Sequence, residues 1–203
     1  MPQRYGSNRT RESRAEHTKK LIDAAYALVP EVGISGLRTR DIAERAGVHL
    51  ATFHYCFESK DALLAALYED IVSSFTRAIQ EYIIPKDDAA DRLDGHRKMR
   101  HYLLVENRQL LIVWKAFTGA MWTEPAIADI VRPHYRIMRE RLVPYIESGR
   151  KDGLFANLPT DNPTAAAAII LGLYDSGLTQ MWLDPEYLPL ADFEEGLRIL
   201  YGA

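Results

Sequence analysis

One cysteine in 203 residues has nothing to pair with inside the chain, and no Cys/His spacing suits a structural zinc, so packing alone must hold the fold. Long hydrophobic runs are missing too. The longest, Ala165 to Leu173, falls well below the roughly 17–25 residues that cross a bilayer, and the polar, Arg-rich first twenty residues contain no signal-peptide core. No membrane span or secretion signal is therefore expected, and the expected compartment is a reducing cytoplasm. Period-2 alternation, internal repeats and low-complexity tracts are also absent, which argues against a sheet or a repeat array. What is present is 47% hydrophobic and 26% charged residues, too much apolar surface for a disordered chain and enough for a sizeable core. No metal and no cofactor is called for.

The formal charge of −3 argues at first against a polyanionic partner, but it averages two unlike parts. Residues 1–60 hold ten basic groups against seven acids, a balance of +3, and the rest of the chain carries −6. A basic head on an acidic body suits a protein of which only the head meets a polyanion.

Residues 1–13 are polar and basic without a period and read as a mobile arm. Leu21, Ala24, Ala25, Leu28 and Val29 then form one apolar stripe, which predicts a helix over roughly 14–31 interrupted by Gly33 and Gly36. Thr39 reads as the N-cap of a short second helix with Ile42, Ala43 and Ala46 on its apolar face and Gly47 as its stop. A third short helix runs from Leu50 to Cys56, and Ser59-Lys60-Asp61 opens a long one through Leu63, Leu64, Leu67, Ile71 and Phe75. Further on, Leu110, Trp114, Phe117 and Met121 share a face. After a break at Pro133, a helix over Arg136 to Ile146 closes at Gly149 and Gly153. Asp161-Asn162-Pro163 starts a helix from Ala165 to Trp182, and Leu190, Phe193, Leu197 and Leu200 mark the last. The fold class is all-α: a three-helix unit over 14–62, then a helical bundle over 63–203.

Two short helices around a glycine turn, the second with polar side chains outward, form a helix-turn-helix. Ile42, Ala43 and Ala46 are small or apolar enough for the two helices to cross closely, and Gly47 supplies the turn. The second helix offers His49, Thr52, His54 and Tyr55 to base edges in a major groove, while Phe53 and Phe57 face the core. The motif covers about residues 38–57. An ordinary helical corner is the competing reading.

Glu31-Val32-Gly33, the run from Leu37 to Val48 and the run from Ala51 to Leu64 stand in one register, and over about residues 18–68 the chain resembles the TetR family of transcriptional regulators. The resemblance implies a homodimer that binds a near-palindromic operator on double-stranded DNA and releases it when an unidentified small molecule enters a C-terminal ligand-binding and dimerisation domain, which is the behaviour of a repressor. It also implies roles. Thr39 bonds a phosphate, Arg40 reaches a base edge or a phosphate, and Lys60 holds a phosphate on the far side. Leu50, Ala51, Thr52 and Tyr55 lie at the groove or its rim. Two positions depart from the family pattern. His49 replaces the usual serine cap, which weakens the helix start by about 0.5–1 kcal/mol if nothing else caps it. His54 replaces a common tyrosine, so its contact becomes a weaker or pH-dependent one.

Tyr102, Trp114, Phe117, Met121 and Tyr174, with Trp122, Tyr135, Met138 and Met181, make an aromatic and methionine-rich set that is mostly core. The resemblance implies a ligand pocket among them, with Asp175, Gln180 or His134 as its polar groups. Ala168, Gly172 and Ser176 recur every four residues, a stripe along which another helix can approach. With Phe193 and Leu197 they form the expected dimer interface, and closure of the monomer core is the alternative. Arg4, Arg9, Arg11 and Arg14 read either as a solvated tail or as an arm in the minor groove. Cys56 is either inert or a redox sensor. His96 and His101, five apart, share no face suited to a metal. The competing function is an all-α small-molecule-binding protein or enzyme with a vestigial helix-turn-helix. No nucleophile-base-acid set or phosphate-cradling loop favours an enzyme, and Thr39, Arg40 and Lys60 together favour DNA binding.

Overall fold

The computed structural model describes residues 13–82 and 89–201. The readings of Arg4, Arg9 and Arg11, and those of the His96, Leu190 and Leu200 side chains, lie outside the described residues. Among the described residues every regular element is helical: α1 Arg14–Gly36, α2 Thr39–Arg45, α3 Leu50–Cys56, α4 Lys60–Tyr82 and α5 Ala89–His101. A π-helical turn, Tyr102–Glu106, leads into α6 Arg108–Ala120, α7 Pro125–Lys151, α8 Pro163–Leu183 and α9 Leu190–Tyr201. The chain divides into two compact units between Leu67 and Tyr68, where the sequence placed the change between 62 and 63. Because α4 is one continuous helix through both positions, no break in its pattern marks the boundary.

In the first unit, Ser13 caps α1 with a capping box. Its hydroxyl accepts from the Glu16 N–H at 3.3 Å, and the Glu16 carboxylate accepts from the Ser13 N–H at 2.5 Å. The predicted stripe of Leu21, Ala24, Ala25, Leu28 and Val29 is buried. At Gly33 the backbone is non-helical (φ +69°, ψ 176°), so α1 is two helical stretches joined by a kink where the glycine was expected to interrupt it, and the short second stretch returns Ile34 and Leu37 to the core. Thr39 is not the N-cap of α2. Arg38 holds that position with extended backbone, and its carbonyl accepts the first helical bond, from Ile42 N–H at 3.0 Å, so Thr39 is the first helical residue. Gly47, at φ +68°, closes α2 with a Schellman pair: Val48 N–H to the Ala43 carbonyl and Gly47 N–H to the Glu44 carbonyl, both 3.0 Å. α3 then packs Phe53 and Cys56 against α1 and α2, and Leu63, Leu64 and Leu67 of α4 are fully buried.

In the second unit, α7 runs unbroken through Pro133 and Pro144, so Pro133 is no break. Proline removes one backbone bond, but Ile127, Val131 and Ile146 are buried along the helix, and that burial keeps it intact. α7 lies along α8, whose start is fixed by Asn162: its side-chain oxygen accepts from Thr164 N–H at 2.9 Å and Ala165 N–H at 3.2 Å. Phe193 and Leu197, expected at a dimer interface, are buried inside their own subunit. Their place is set by Gly177, since a Cβ there would meet the Phe193 ring at 2.2 Å. Gly177→Ala forces that ring to shift between Tyr174 and Arg100. The expected loss is about 1–3 kcal/mol, read in urea melts followed by tryptophan emission. Trp114, Trp122 and Trp182 all lie in this unit, so the signal reports on it alone.

Candidate nucleic-acid interface

α3 is seven residues long, so its two faces are set by very few side chains. Phe53 is fully buried and Cys56 nearly so, and this inward pair turns His49, Leu50, Ala51, His54 and Tyr55 outward, with Thr52 half-buried at the edge. Phe53 is held edge-on to His54 at 5.5 Å and tilted on Phe57 at 5.9 Å, so the ring that anchors α3 also supports one of its exposed side chains. His49 holds the N-cap position with no side-chain cap bond, as its substitution for serine implies. The outward face is polar and aromatic, without carboxylates, and of the width a major groove admits.

Beside it lies positive charge that the protein leaves uncompensated. Arg45, at the end of α2, is neutralised by Glu31 of α1 through a bidentate pair at 2.8–3.0 Å. That bond holds the Glu31 carboxyl below its ordinary range and the Arg45 guanidinium above its own. Arg38 and Arg40, at the start of α2, form no ion pair among the described residues, and both are exposed. Lys60 opens α4 and donates to the Leu37 carbonyl at 3.4 Å, which brings its ammonium beside Arg38 and Thr39. The Lys60 side chain therefore links the start of α4 to the segment entering α2, where Arg38 and Arg40 are exposed, and cations at the starts of two helices are what a phosphate grip needs. Thr39, half-buried at the first position of α2, stands among them. Ser59 caps α4 through its hydroxyl on Ala62 N–H at 3.0 Å. The sequence reading missed Arg38, which only its place one residue ahead of α2 could have marked.

Residues 21–67 match the family described as bacterial regulatory proteins, tetR family. Those residues belong to the TetR family. It is 28% identical over 127 residues to a nicotine-responsive transcriptional repressor of Paenarthrobacter nicotinovorans, a match covering 62% of this chain and 64% of that protein. A fatty acid metabolism regulator of Bacillus subtilis is 27% identical over 163 residues, covering 79% of this chain and 80% of its own. Among solved structures, a TetR transcription regulator of Haloarcula marismortui aligns over 93% of this chain and 97% of its own, with a TM-score of 0.72 at 21% identity, which is likeness of fold. The chain thus spans slightly under two thirds of the first of these relatives.

The residues expected to line a TetR effector pocket fall into separate groups. Trp114 and Phe117 pack with Tyr68: Trp114 is stacked on it at 5.6 Å and Phe117 tilted at 4.9 Å. His134 stands edge-on to Tyr68 at 4.9 Å, while Phe75 and Tyr135 touch Trp114. Tyr102 lies elsewhere, 6.0 Å from Tyr82, and accepts from Asn107 Nδ2 at 2.7 Å. Tyr174 packs on Phe193, and Met121 is half-buried at the end of α6. Of the polar candidates, Asp175 is engaged by the Lys115 ammonium at 2.6 Å, which ties α6 to α8, and Gln180 donates to Ser176 on its own helix. His134 Nδ1 lies 3.1 Å from the Ile130 carbonyl. Near the other histidine, His101 Nε2 is 3.6 Å from Glu106, and no metal-holding cluster exists among the described residues.

Tyr68 is the polar group that sequence reasoning missed in this region. Its hydroxyl is wholly buried and has no hydrogen-bond partner among the described residues. Burial first, and Tyr135 second, hold its phenol far above the ordinary tyrosine range; burial, then the Asp175 charge, push Tyr135 up to about 12. Unfolded tyrosine ionises near 10, so the stability tied to both neutral phenols is complete below that pH and is lost as pH rises toward and past 12. Tyr68→Phe removes the unsatisfied hydroxyl. The variant is expected to gain about 1 kcal/mol at neutral pH and to resist alkaline unfolding better than the native chain, both read by tryptophan emission. A loss of stability at neutral pH would mean that the hydroxyl has a partner in solution.

Proposed function

We propose that this TetR-family chain is a homodimeric repressor that grips a two-fold symmetric site on double-stranded DNA and lets go when a small molecule binds within residues 68–203. The observation that carries the reading is the exposed, carboxylate-free face of α3 beside the uncompensated Arg38, Arg40 and Lys60. Thr39, Arg38 and Lys60 fix the register on phosphates, and Arg40 reaches a phosphate or base edge. His49, Thr52, His54 and Tyr55 meet bases or the groove rim, with Leu50 and Ala51 offering apolar contact.

A dimer is supported by α8, whose residues 165–173 are all apolar or glycine although Ala168, Ile169 and Gly172 of that run, with Ser176 beyond it, lie at the surface, with Leu183 exposed at its end. A second copy packed there supports two reading heads about one helical turn of DNA apart or a multiple of it. The cluster around Tyr68 is the part of the second unit best suited to an effector, because its buried hydroxyl needs a partner. A nicotine-responsive relative supports a small organic effector for this chain also. Release is a population shift: an effector that favours the non-reading conformation by about 1.4 kcal/mol lowers operator affinity tenfold. On this reading the chain binds and releases in the cytoplasm, without cofactor or metal, and catalyses nothing.

The test is selection from a random-core duplex library at fixed near-physiological salt with nonspecific competitor, run beside Arg40→Ala/Lys60→Ala. The native chain is expected to enrich a two-fold symmetric sequence that the variant does not retain. Enrichment of no symmetric sequence, or equal enrichment by the variant, contradicts the proposal.

A further inference from the structure

α3 is fixed at its far end by a residue outside the helix-turn-helix. Arg14, the first residue of α1, donates from Nη2 to the Cys56 carbonyl at 3.3 Å, and its guanidinium lies 5.5 Å from the centre of the Tyr55 ring. The Cys56 thiol answers by donating to the Arg14 carbonyl at 3.9 Å. Cys56 closes α3, so its carbonyl is one of the terminal acceptors that a helix cannot satisfy by itself, and a cation at that end also suits the helix dipole. Arg14 in turn is held by the capping box of Ser13 and Glu16 on either side of it. Hydrogen bonds from Ser13 hold the Glu16 carboxyl below its ordinary range, so the box is ionised and closed at neutral pH.

Tyr55 is the largest exposed side chain of α3, about two-thirds exposed, and a ring so placed has several rotamers open to it unless something selects one. The guanidinium over its face does so. The geometry points to Arg14 as a positioning residue for DNA reading: it completes the C-terminus of the recognition helix and holds Tyr55 in the orientation that meets the groove. This rests on the proposal that α3 reads DNA. It separates Arg14 from the solvated-tail and minor-groove alternatives, because its side chain is already committed to α3.

The test is a double-mutant cycle on the duplex enriched by the native chain, using Arg14→Ala, Tyr55→Ala and the pair, each measured over a salt series. Arg14→Ala is expected to weaken binding about tenfold in the native background and less than about threefold when Tyr55 is already alanine. The slope of log affinity against log salt stays unchanged. In the free protein, Arg14→Ala is expected to speed amide exchange at Cys56 and Phe57 with the melting of the first unit unaltered. Equal losses in both backgrounds, with the salt slope reduced by about one, would make Arg14 an ordinary phosphate contact and overturn the inference. Unchanged exchange at Cys56 and Phe57 overturns it as well. If the native chain enriches no duplex, the DNA reading fails and the inference fails with it, an outcome distinct from additive losses on an enriched one.

Discussion

Arg100→Ala is expected to destabilise the second unit by about 3–5 kcal/mol. Arg100 is 1% exposed, and its guanidinium joins α5 to α9 through a 2.8 Å bond to Glu194 while lying 5.4 Å from the centre of the Phe193 ring. Truncation leaves the part-buried Glu194 carboxylate without this cation and opens space beside a core ring. Two controls separate charge from volume. Arg100→Met refills much of the space and is expected to recover part of the loss, and Arg100→Met/Glu194→Leu, which removes both charges, to recover more. Urea unfolding followed by tryptophan emission reads all three. A loss under about 1 kcal/mol for Arg100→Ala would show that the pair is solvated in solution.

Phe53→Ala is expected to cost the first unit about 3–5 kcal/mol and to abolish DNA selection, although Phe53 faces away from the reading surface. A seven-residue helix is not stable by itself, so α3 exists because its inward ring is packed. Without Phe53 the exposed side chains keep their identities and lose their common orientation. Phe53→Leu, which refills most of the volume, is expected to restore binding substantially. Since the first unit contains no tryptophan, amide exchange across α1 to α3 is the suitable readout. Protection of α3 equal to that of the native chain would contradict this account of how the helix is held.

These two residues also show what the sequence can and cannot disclose. Phe53 was readable because its neighbours fix its role within one short segment, where helical spacing sends it inward and Tyr55 outward. Asn162 and Pro163 were readable for the same reason, as cap and first-turn proline. Arg100 was not, because its partner Glu194 is 94 positions away and nothing local distinguishes it from a surface arginine. Arg14 is similar: its bond to Cys56 spans 42 positions. Gly177 marks a third limit. The close approach of α9 to α8 occurs there, one residue beyond the stripe of Ala168, Gly172 and Ser176 that spacing singles out, and only the Phe193 ring, 16 positions on, reveals it. Pro133 misled in the opposite sense, since the local preference of proline to end a helix is outweighed in α7 by burial on its apolar side. Thr39 was misread as a cap because threonine favours that role, whereas backbone geometry gives it to Arg38.

The central claim is that the outward face of α3 and the starts of α2 and α4 are where this protein meets DNA. Amide hydrogen exchange of the native chain with and without its enriched duplex tests this most directly, because it reports contact along the whole backbone without assuming where it lies. The account predicts new protection concentrated at Arg38 to Arg40, at His49 to Tyr55 and at Lys60, and none at the ion pair of Arg45 and Glu31. Protection confined to other segments, with those residues exchanging as fast as in the free protein, would contradict it.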